Sequence, residues 1–275
     1  MSDPIGRPDQ PRDRRDRLVA VAWSAGVGIL SGLLLLLVGL PLASLIFTSS
    51  PRKILHGLAD PMVGPAVRLT LLTTMASLIF IVACGTPLAW VIARRRTRAW
   101  RFLETLIELP VVLPPAVAGV ARLLAFGRRG LVGPGLATAG IGLPFTTAAV
   151  VLAESFVAAP FYVQAAAAAF RRLDQDLVLV ARTLGASRPR VFFTVAIPIA
   201  WAGLTGGAAM SWARALGEFG ATLMFAGNLA GRTQTLPLAI YTALESDLQT
   251  AQSLSIVLVA VAVAVLVGIR SWSRP

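Results

Sequence analysis

The sequence predicts an all-α, polytopic membrane protein: six transmembrane helices, N-in and C-in, with a short cytosolic coupling helix between helices 4 and 5. Three observations lead there. Of the 275 residues, 56% are hydrophobic and only 14% charged, with a mean hydropathy of +0.75, which is outside the range of soluble globular chains. The apolar runs exceed the ~20 residues needed to cross the hydrocarbon, and the short alternating segments of a transmembrane barrel are absent. The net charge of +12 comes from basic residues that bracket those runs, so topology accounts for it and no nucleic acid is expected.

Residues 1–17 hold five arginines, four aspartates and three prolines and are read as a disordered cytosolic tail. The rest, 18–275, is read as one transmembrane domain. The run 18–47 is far longer than the ~7–15 apolar residues of a signal peptide, so it is a retained first span. Span two covers about 66–93 and runs into Arg94-Arg95-Arg96. Span three, about 102–127, contains Pro110, Pro114 and Pro115 and is expected to be kinked or partly unwound. Spans four, five and six fall near 145–170, 197–226 and 251–270. With the N-terminus inside, the tail, residues 94–101 and residues 171–190 each carry five basic residues. Arg270 and Arg274 bring the cytosolic total to 17 of the 25 lysines and arginines, which sets the orientation.

The stretch 171–198 is a basic, water-facing island. Asp174 is placed to cap a helix whose Leu177, Val180, Ala181 and Leu184 recur at i, i+3, i+4 and i+7 on one face. Gly185 stands where a glycine ends such a helix, and Ser187 with Pro189 opens a second. A short amphipathic helix between two spans offers a surface to the cytosol.

Catalysis is mostly excluded. The single histidine, His56, lies in an outer loop and the single cysteine, Cys84, inside an apolar run. No nucleophile–histidine pair, multi-histidine metal site or internal disulfide is therefore expected. The phosphate-binding loop is also missing, since the sole lysine, Lys53, is followed by Ile54. Any ATP chemistry belongs to another chain. Glu104, Glu108 and Glu154 leave open an intramembrane carboxylate enzyme, but such residues more often serve structure or a transport path. At ~1.5 Å per residue, Arg122, Glu154, Arg214 and Glu218 fall in the outer halves of their spans, two of each sign. They form either two neutralising ion pairs or an anion path or gate in which Arg214, with Glu218, Phe219 and Glu154, meets a negative substrate. The small residues of span five, among them Gly203, Gly206 and Gly207, fit tight packing or a sliding interface. Between spans five and six, Arg232, Glu245 and Asp247 mark either a solvated outer cap or a docking surface for a soluble protein.

The spacing Ala181-x-x-x-Gly185, nine residues, then Val195-Ala196-Ile197-Pro198 resembles the cytosolic signature of permease subunits of ATP-binding-cassette importers. Leu179 and Val180 depart from that signature's glutamate and first alanine. Further segments are similar to the molybdate/tungstate permeases, near relatives of the sulfate permeases: Gly85-Thr-Pro-Leu-Ala89, Leu113-Pro-Pro-Ala-Val-Ala-Gly119, Leu216-Gly-Glu-Phe-Gly-Ala-Thr222 and Arg232-Thr-Gln-Thr-Leu-Pro-Leu-Ala-Ile-Tyr241. Arg122 departs from that family, which carries an apolar residue there. The resemblance implies a multi-pass permease in the bacterial inner membrane, working as a homodimer with no cofactor of its own. Two copies of a cytosolic ATPase would dock on Leu177, Val180, Ala181, Leu184, Gly185, Arg188, Val195, Ile197 and Pro198. A soluble oxyanion-binding protein would dock outside at Arg232, Glu245 and Asp247, and membrane lipid would surround the bundle. The expected cargo is molybdate or tungstate. Sulfate or thiosulfate is the alternative within the same architecture, and a free-standing secondary transporter the alternative outside it.

Overall fold

A computed structural model describes residues 12–48, 51–95 and 97–272. All regular structure among them is helical. The first 50 residues form one compact unit and the chain from Pro51 onward another.

The first unit is a single helix, α1 (Arg12–Phe47), so residues 12–17 of the predicted tail are its opening turns. Residues 1–11 lie outside the described set. From Val19 to Phe47 the helix has the highest mean hydropathy of any candidate span and is apolar all round, the pattern of a helix solvated by lipid.

The second unit begins with α2 (Pro51–Leu58), a short amphipathic helix where an outer loop is expected from sequence. It is followed by α3 (Val63–Arg94), α4 (Arg98–Val112), α5 (Pro115–Phe126), α6 (Gly133–Thr138) and α7 (Thr147–Arg171). Then come α8 (Gln175–Thr183), α9 (Arg188–Val191), a π-helical turn at Phe192–Ala196, α10 (Ile197–Leu216), α11 (Gly220–Ala226), α12 (Leu236–Ser246) and α13 (Leu248–Trp272). Five helical stretches are long and apolar enough to cross a membrane: α1, α3, α7, Arg188–Leu216 and α13.

The remaining predicted span, span three, is α4 and α5, set at 118° to one another. This is a sharper break than the kink expected from its prolines. Pro114 and Pro115 each bar the residue before them from helical geometry. Leu113 and Pro114 are accordingly both extended, with ψ of 131° and 140°. The two halves nevertheless reach opposite ends of α7. Glu104 of α4 pairs with Arg171 at the last turn of α7, at 2.5 Å. At the other end, Leu123 and Phe126 of α5 pack with Ala149 and Val150 near its start.

Span five also differs from expectation. α10 stops at Leu216, and Gly217, Glu218 and Phe219 lead into the separate α11, so the predicted run to residue 226 is broken.

The main core gathers α3, α7 and α10 around Tyr162, Val163, Ala166, Phe170, Ala200 and Leu204. Small residues make it possible. A Cβ added at Gly203 would sit 2.5 Å from the Ala169 methyl, and one at Gly207 would sit 2.8 Å from the Ala165 methyl, whereas one at Gly206 meets nothing within 4 Å. Two of the three glycines thus serve close approach of α10 to α7. Gly203→Leu is expected to cost about 1–3 kcal/mol by overpacking, and Gly206→Leu to stay within about 0.5 kcal/mol. Thermal unfolding of the two variants in one lipid checks the contrast.

Candidate functional site

The local chemistry of α8 follows its sequence. The Asp174 carboxylate accepts from the Asp176 backbone N–H at 2.9 Å, closing the first turn. At the far end Gly185 takes φ +86°. The Ala186 N–H then reaches the Ala181 carbonyl and the Gly185 N–H that of Arg182, both at 3.0 Å, the paired pattern of a Schellman stop. Ser187 caps α9 by accepting from the Arg190 N–H at 3.4 Å. α8 is therefore a defined, short, rigid element.

Its faces are unequal. Val178, which the apolar repeat did not pick out, is buried, and Ala181 packs against the same core as Leu173, Val191 and Phe170. Leu177, Val180 and Leu184 are 49%, 54% and 82% exposed. Gly185, Arg188 and Pro198 are exposed, while Val195 and Ile197 are half-buried where the π turn joins α10. Of the predicted docking residues, Ala181 thus sits at the root of the element, and Arg188, Val195, Ile197 and Pro198 lie beyond it. The apolar side chains Leu177, Val180 and Leu184, joined by Leu179, stand clear of the chain's own core. Rooted by Val178 and presenting four large apolar side chains, α8 has the anatomy of a docking element.

The charged residues of the bundle lie towards the other end. Glu218 is buried; one carboxylate oxygen pairs with Arg214 at 3.0 Å, and the other accepts from the Ala221 backbone N–H at 3.0 Å. It therefore holds both an ion pair and the start of α11. The Arg214 side chain remains 34% exposed, so this pair has a face open beside the break at Gly217. Phe219 is half-buried and stacks with Tyr241 of α12 at 5.3 Å between ring centroids.

The other two charges do not pair with each other. Glu154 is buried on α7, where its two oxygens lie 2.8 Å from the Thr73 and Ser77 hydroxyls of α3. Arg122, also buried, donates to the carbonyls of Ala118 and Ala153 at 3.2 Å each and lies 4.3 Å above the Phe156 ring. Of the two ion pairs offered by the sequence, one is present and the other is replaced by hydroxyl and carbonyl partners. Burying a charge is costly unless it is paired or hydrogen-bonded, and both devices occur here. Glu218 remains within electrostatic reach of both Arg122 and Glu154.

Thr73 and Ser77 belong to a set that sequence reasoning missed. Thr70, Thr73, Thr74 and Ser77 recur at i, i+3, i+4 and i+7, a polar stripe on one face of an otherwise apolar helix. Thr70 continues it by accepting from the Leu236 backbone N–H at 2.7 Å at the start of α12.

With this geometry in place, comparison with known proteins is specific. Residues 85–273 match the family described as "Binding-protein-dependent transport system inner membrane component". The chain belongs to this family. As a transport component of the inner membrane it is similar to the "Molybdenum transport system permease protein ModB" of Mycobacterium tuberculosis, 46% identical over 77% of this chain and 80% of that one. It is 38% identical to the "Probable transport system permease protein NifC" of Clostridium pasteurianum, over 84% and 81%. The ModB of Escherichia coli K12 is 36% identical over 73% and 88%. Among solved structures, a bacterial ABC transporter involved in import of the acidic polysaccharide alginate shares the fold, with a TM-score of 0.72 over 95% of this chain and 98% of that one at 16% identity.

In this permease the three residues singled out for docking a soluble protein are all exposed, at the end of the bundle opposite α8. They are not brought together by any bond between them among the described residues. Arg232 is tied through its backbone carbonyl, which accepts from the Thr147 hydroxyl at 2.9 Å. Glu245 stands one helical turn after Tyr241 on α12. Asp247 caps α13, accepting from the Thr250 hydroxyl at 2.6 Å and from the backbone of Gln249 and Thr250. The intervening α12 is no solvated cap: Leu236, Leu238, Ala239 and Ala243 are buried. The Thr250 hydroxyl, then the two backbone donors, hold the Asp247 carboxyl below its usual pKa. A depressed folded pKa gives stability that is present above the ordinary carboxylate range and lost as pH falls through the folded value. Asp247→Asn is expected to lower Tm at neutral pH, and the gap from the parent protein is expected to close as the medium is acidified below the ordinary Asp range.

Proposed function

We propose that this chain is the membrane-spanning permease subunit of an ATP-driven importer for molybdate or tungstate. Two copies line one path, a cytosolic ATPase sits under each copy, and a soluble oxyanion-binding protein delivers cargo at the opposite face. Relatives at 46% and 36% identity that are named as molybdenum permeases support the cargo. The coupling role is carried by one observation, the exposed apolar face of Leu177, Val180 and Leu184 on a helix stopped at both ends. A face of that kind requires a partner.

The orientation that fits is six crossings with both termini in the cytosol. The distribution of lysine and arginine supports it, and the attachment of α4 and α5 to opposite ends of α7 supports counting the broken pair as one crossing. Residues 94–101 and α8 then face the ATPase together.

The mechanism is differential binding. ATP draws the two ATPases together, and α8 moves with the surface it docks on. Because α8 is stopped by the Schellman turn and rooted by Val178 and Ala181, the displacement passes to α7 through Leu173 and to α10 through α9 and the π turn, shifting rigid helices rather than bending α8. At the other end, movement of α10 changes the Arg214–Glu218 pair and Phe219 beside Gly217. In this reading those residues, with Glu154, form the gate. The Arg214 guanidinium, partly open and held by one carboxylate, offers an arriving dianion a passing electrostatic contact, while tight selection stays with the soluble protein.

Calorimetric titration of the soluble partner with molybdate, tungstate and sulfate tests the cargo. The expected result is binding of molybdate or tungstate at least about 100-fold tighter than sulfate, roughly 2.7 kcal/mol. A preference for sulfate would reassign the same machinery to sulfate import.

A further inference from the structure

The end of the bundle that carries α8 gathers positive charge that its own chain does not neutralise. A cavity of about 530 Å³ opens there between the last turns of α3 and α7 and the first residue of α8, lined by Ala93, Arg94, Arg171, Leu173 and Gln175. Its wall is more polar than apolar, and Arg94, Arg171 and Gln175 are all exposed, so hydrogen-bond donors reach it. Arg171 has Glu104 as its partner. Arg94 has a ring instead of a carboxylate, its guanidinium lying 4.1 Å from the centre of Trp90. Arg182 of α8 and Arg188, the first residue of α9, lie within electrostatic reach of Arg94. Among the described residues, no carboxylate comes within ion-pair distance of Arg94, Arg182 or Arg188. The Asp174 carboxylate is engaged at the start of α8, and from Leu177 to Gly217 the chain has no Asp or Glu.

Guanidiniums held near one another repel, and the counter-charge that relieves them here must come from outside the chain. The placement of the cations indicates what carries it. Arg182 and Arg188 stand on the connection between α7 and α10, on and beside the element whose Leu177, Val180 and Leu184 are exposed. The cavity is continuous with that apolar face, since Gln175 lines the one and opens the helix that presents the other. A macromolecule seated on α8 therefore meets Arg182 and Arg188 on the same element and Arg94 beside it.

We infer that the ATPase presents a cluster of carboxylates to this end of the permease, one seated in the cavity where Arg94 and Gln175 offer donors and others facing Arg182 and Arg188. The inference rests on the proposed docking of an ATPase at α8 and adds the sign of the surface that meets it. Two contributions then divide the work. The apolar side chains of α8 hold the complex once formed, while the cations steer the encounter and reject partners whose matching surface is basic. Steering of this kind acts on the association rate, and it fades as salt shortens the screening length from ~10 Å at 0.1 M towards ~3 Å at 1 M. An acidic side chain that reaches the cavity also gains charge-assisted hydrogen bonds from Arg94.

Binding kinetics of the ATPase to the full-length permease, held in discs of phosphatidylcholine so that the lipid carries no net charge, test the sign. The association rate constant is expected to fall at least about tenfold between about 50 mM and about 500 mM salt, with the dissociation rate constant changing far less. Arg94→Gln combined with Arg182→Gln and Arg188→Gln is expected to slow association at low salt at least about fivefold and to flatten the salt dependence. Arg182→Gln with Arg188→Gln alone leaves Arg94 on Trp90, guards against a folding failure of the triple variant, and is expected to show part of the loss. Arg128→Gln with Arg129→Gln removes charge at the opposite end of the bundle and is expected to leave association as it was. Association by the parent chain that ignores salt would overturn the inference while leaving docking at α8 intact. So would a triple variant that associates like the parent, or an equal loss from the Arg128 and Arg129 pair. A parent chain that retains phosphatidylglycerol over phosphatidylcholine, and loses that preference in a triple variant with unchanged association, would make lipid headgroups the occupant instead. No association at any salt would remove the docking reading itself, and this inference with it.

Discussion

Replacing Val180 and Leu184 together by aspartate is expected to abolish ATP-coupled uptake while leaving the membrane bundle as stable as before. Both side chains are more than half exposed, and substitution of exposed residues away from special features shifts stability by no more than about 0.5 kcal/mol. In a docked complex the balance reverses. Burying two aliphatic side chains of this size is worth roughly 3–5 kcal/mol, and the double substitution forfeits that while placing two unpaired carboxylates in an apolar interface. The affinity for the ATPase should fall by at least about 100-fold. Co-purification of the ATPase and thermal unfolding of the permease, measured on the same preparation, separate the two effects. A variant that still holds the ATPase would remove α8 as the docking element. Val178→Asp should behave differently, because that side chain is buried against Phe170 and Leu173; there the bundle itself is destabilised.

Arg214→Leu is expected to be the most damaging single change in the charged cluster, and the compensating double variant with Glu218→Leu is expected to fall short of full recovery. Glu218 is buried, so removing Arg214 leaves that carboxylate uncompensated, at a cost of up to about 3–5 kcal/mol, lessened by the open face of the pair. Deleting both charges would cure that defect if the pair were the whole story. It is not, because Glu218 also accepts from the Ala221 N–H, and orphaning a buried donor costs about 1–3 kcal/mol. Arg214→Leu with Glu218→Gln keeps an acceptor for that donor and should be the more stable double variant. Arg214→Lys separates structure from transport. It preserves the charge and most of the stability, so a selective loss of uptake would place Arg214 in contact with the anion, and normal uptake would make the pair structural.

Local chemistry was the most legible part of the chain. Asp174, Gly185 and Ser187 announced the ends of α8 and α9, since caps and left-handed stops depend on residues a few positions apart. Pro114 and Pro115 announced a break in span three. Its 118° angle was not legible, because it depends on what α4 and α5 pack against at the two ends of α7. In the charged cluster, the i, i+4 spacing of Arg214 and Glu218 revealed their pairing along one strand of chain. Arg122 and Glu154 defeated the same logic, as their partners lie on other helices and in backbone carbonyls. The hydroxyl stripe from Thr70 to Ser77 was visible in principle as a helical repeat of polar residues, a pattern overlooked when only ionisable groups are followed through a span. Val178 shows the remaining gap: periodicity finds the apolar positions of α8 but does not say which of them its own protein will cover.

Under the proposed function, this chain converts ATP hydrolysis on a docked partner into inward movement of molybdate or tungstate. The direct measurement uses proteoliposomes holding the permease and its ATPase, with ATP enclosed and the loaded oxyanion-binding protein outside. Uptake of molybdate or tungstate is predicted to require ATP, the binding protein and an intact α8 face. Uptake that persists without ATP, or that is unaffected by the Val180 and Leu184 double substitution, would contradict the account.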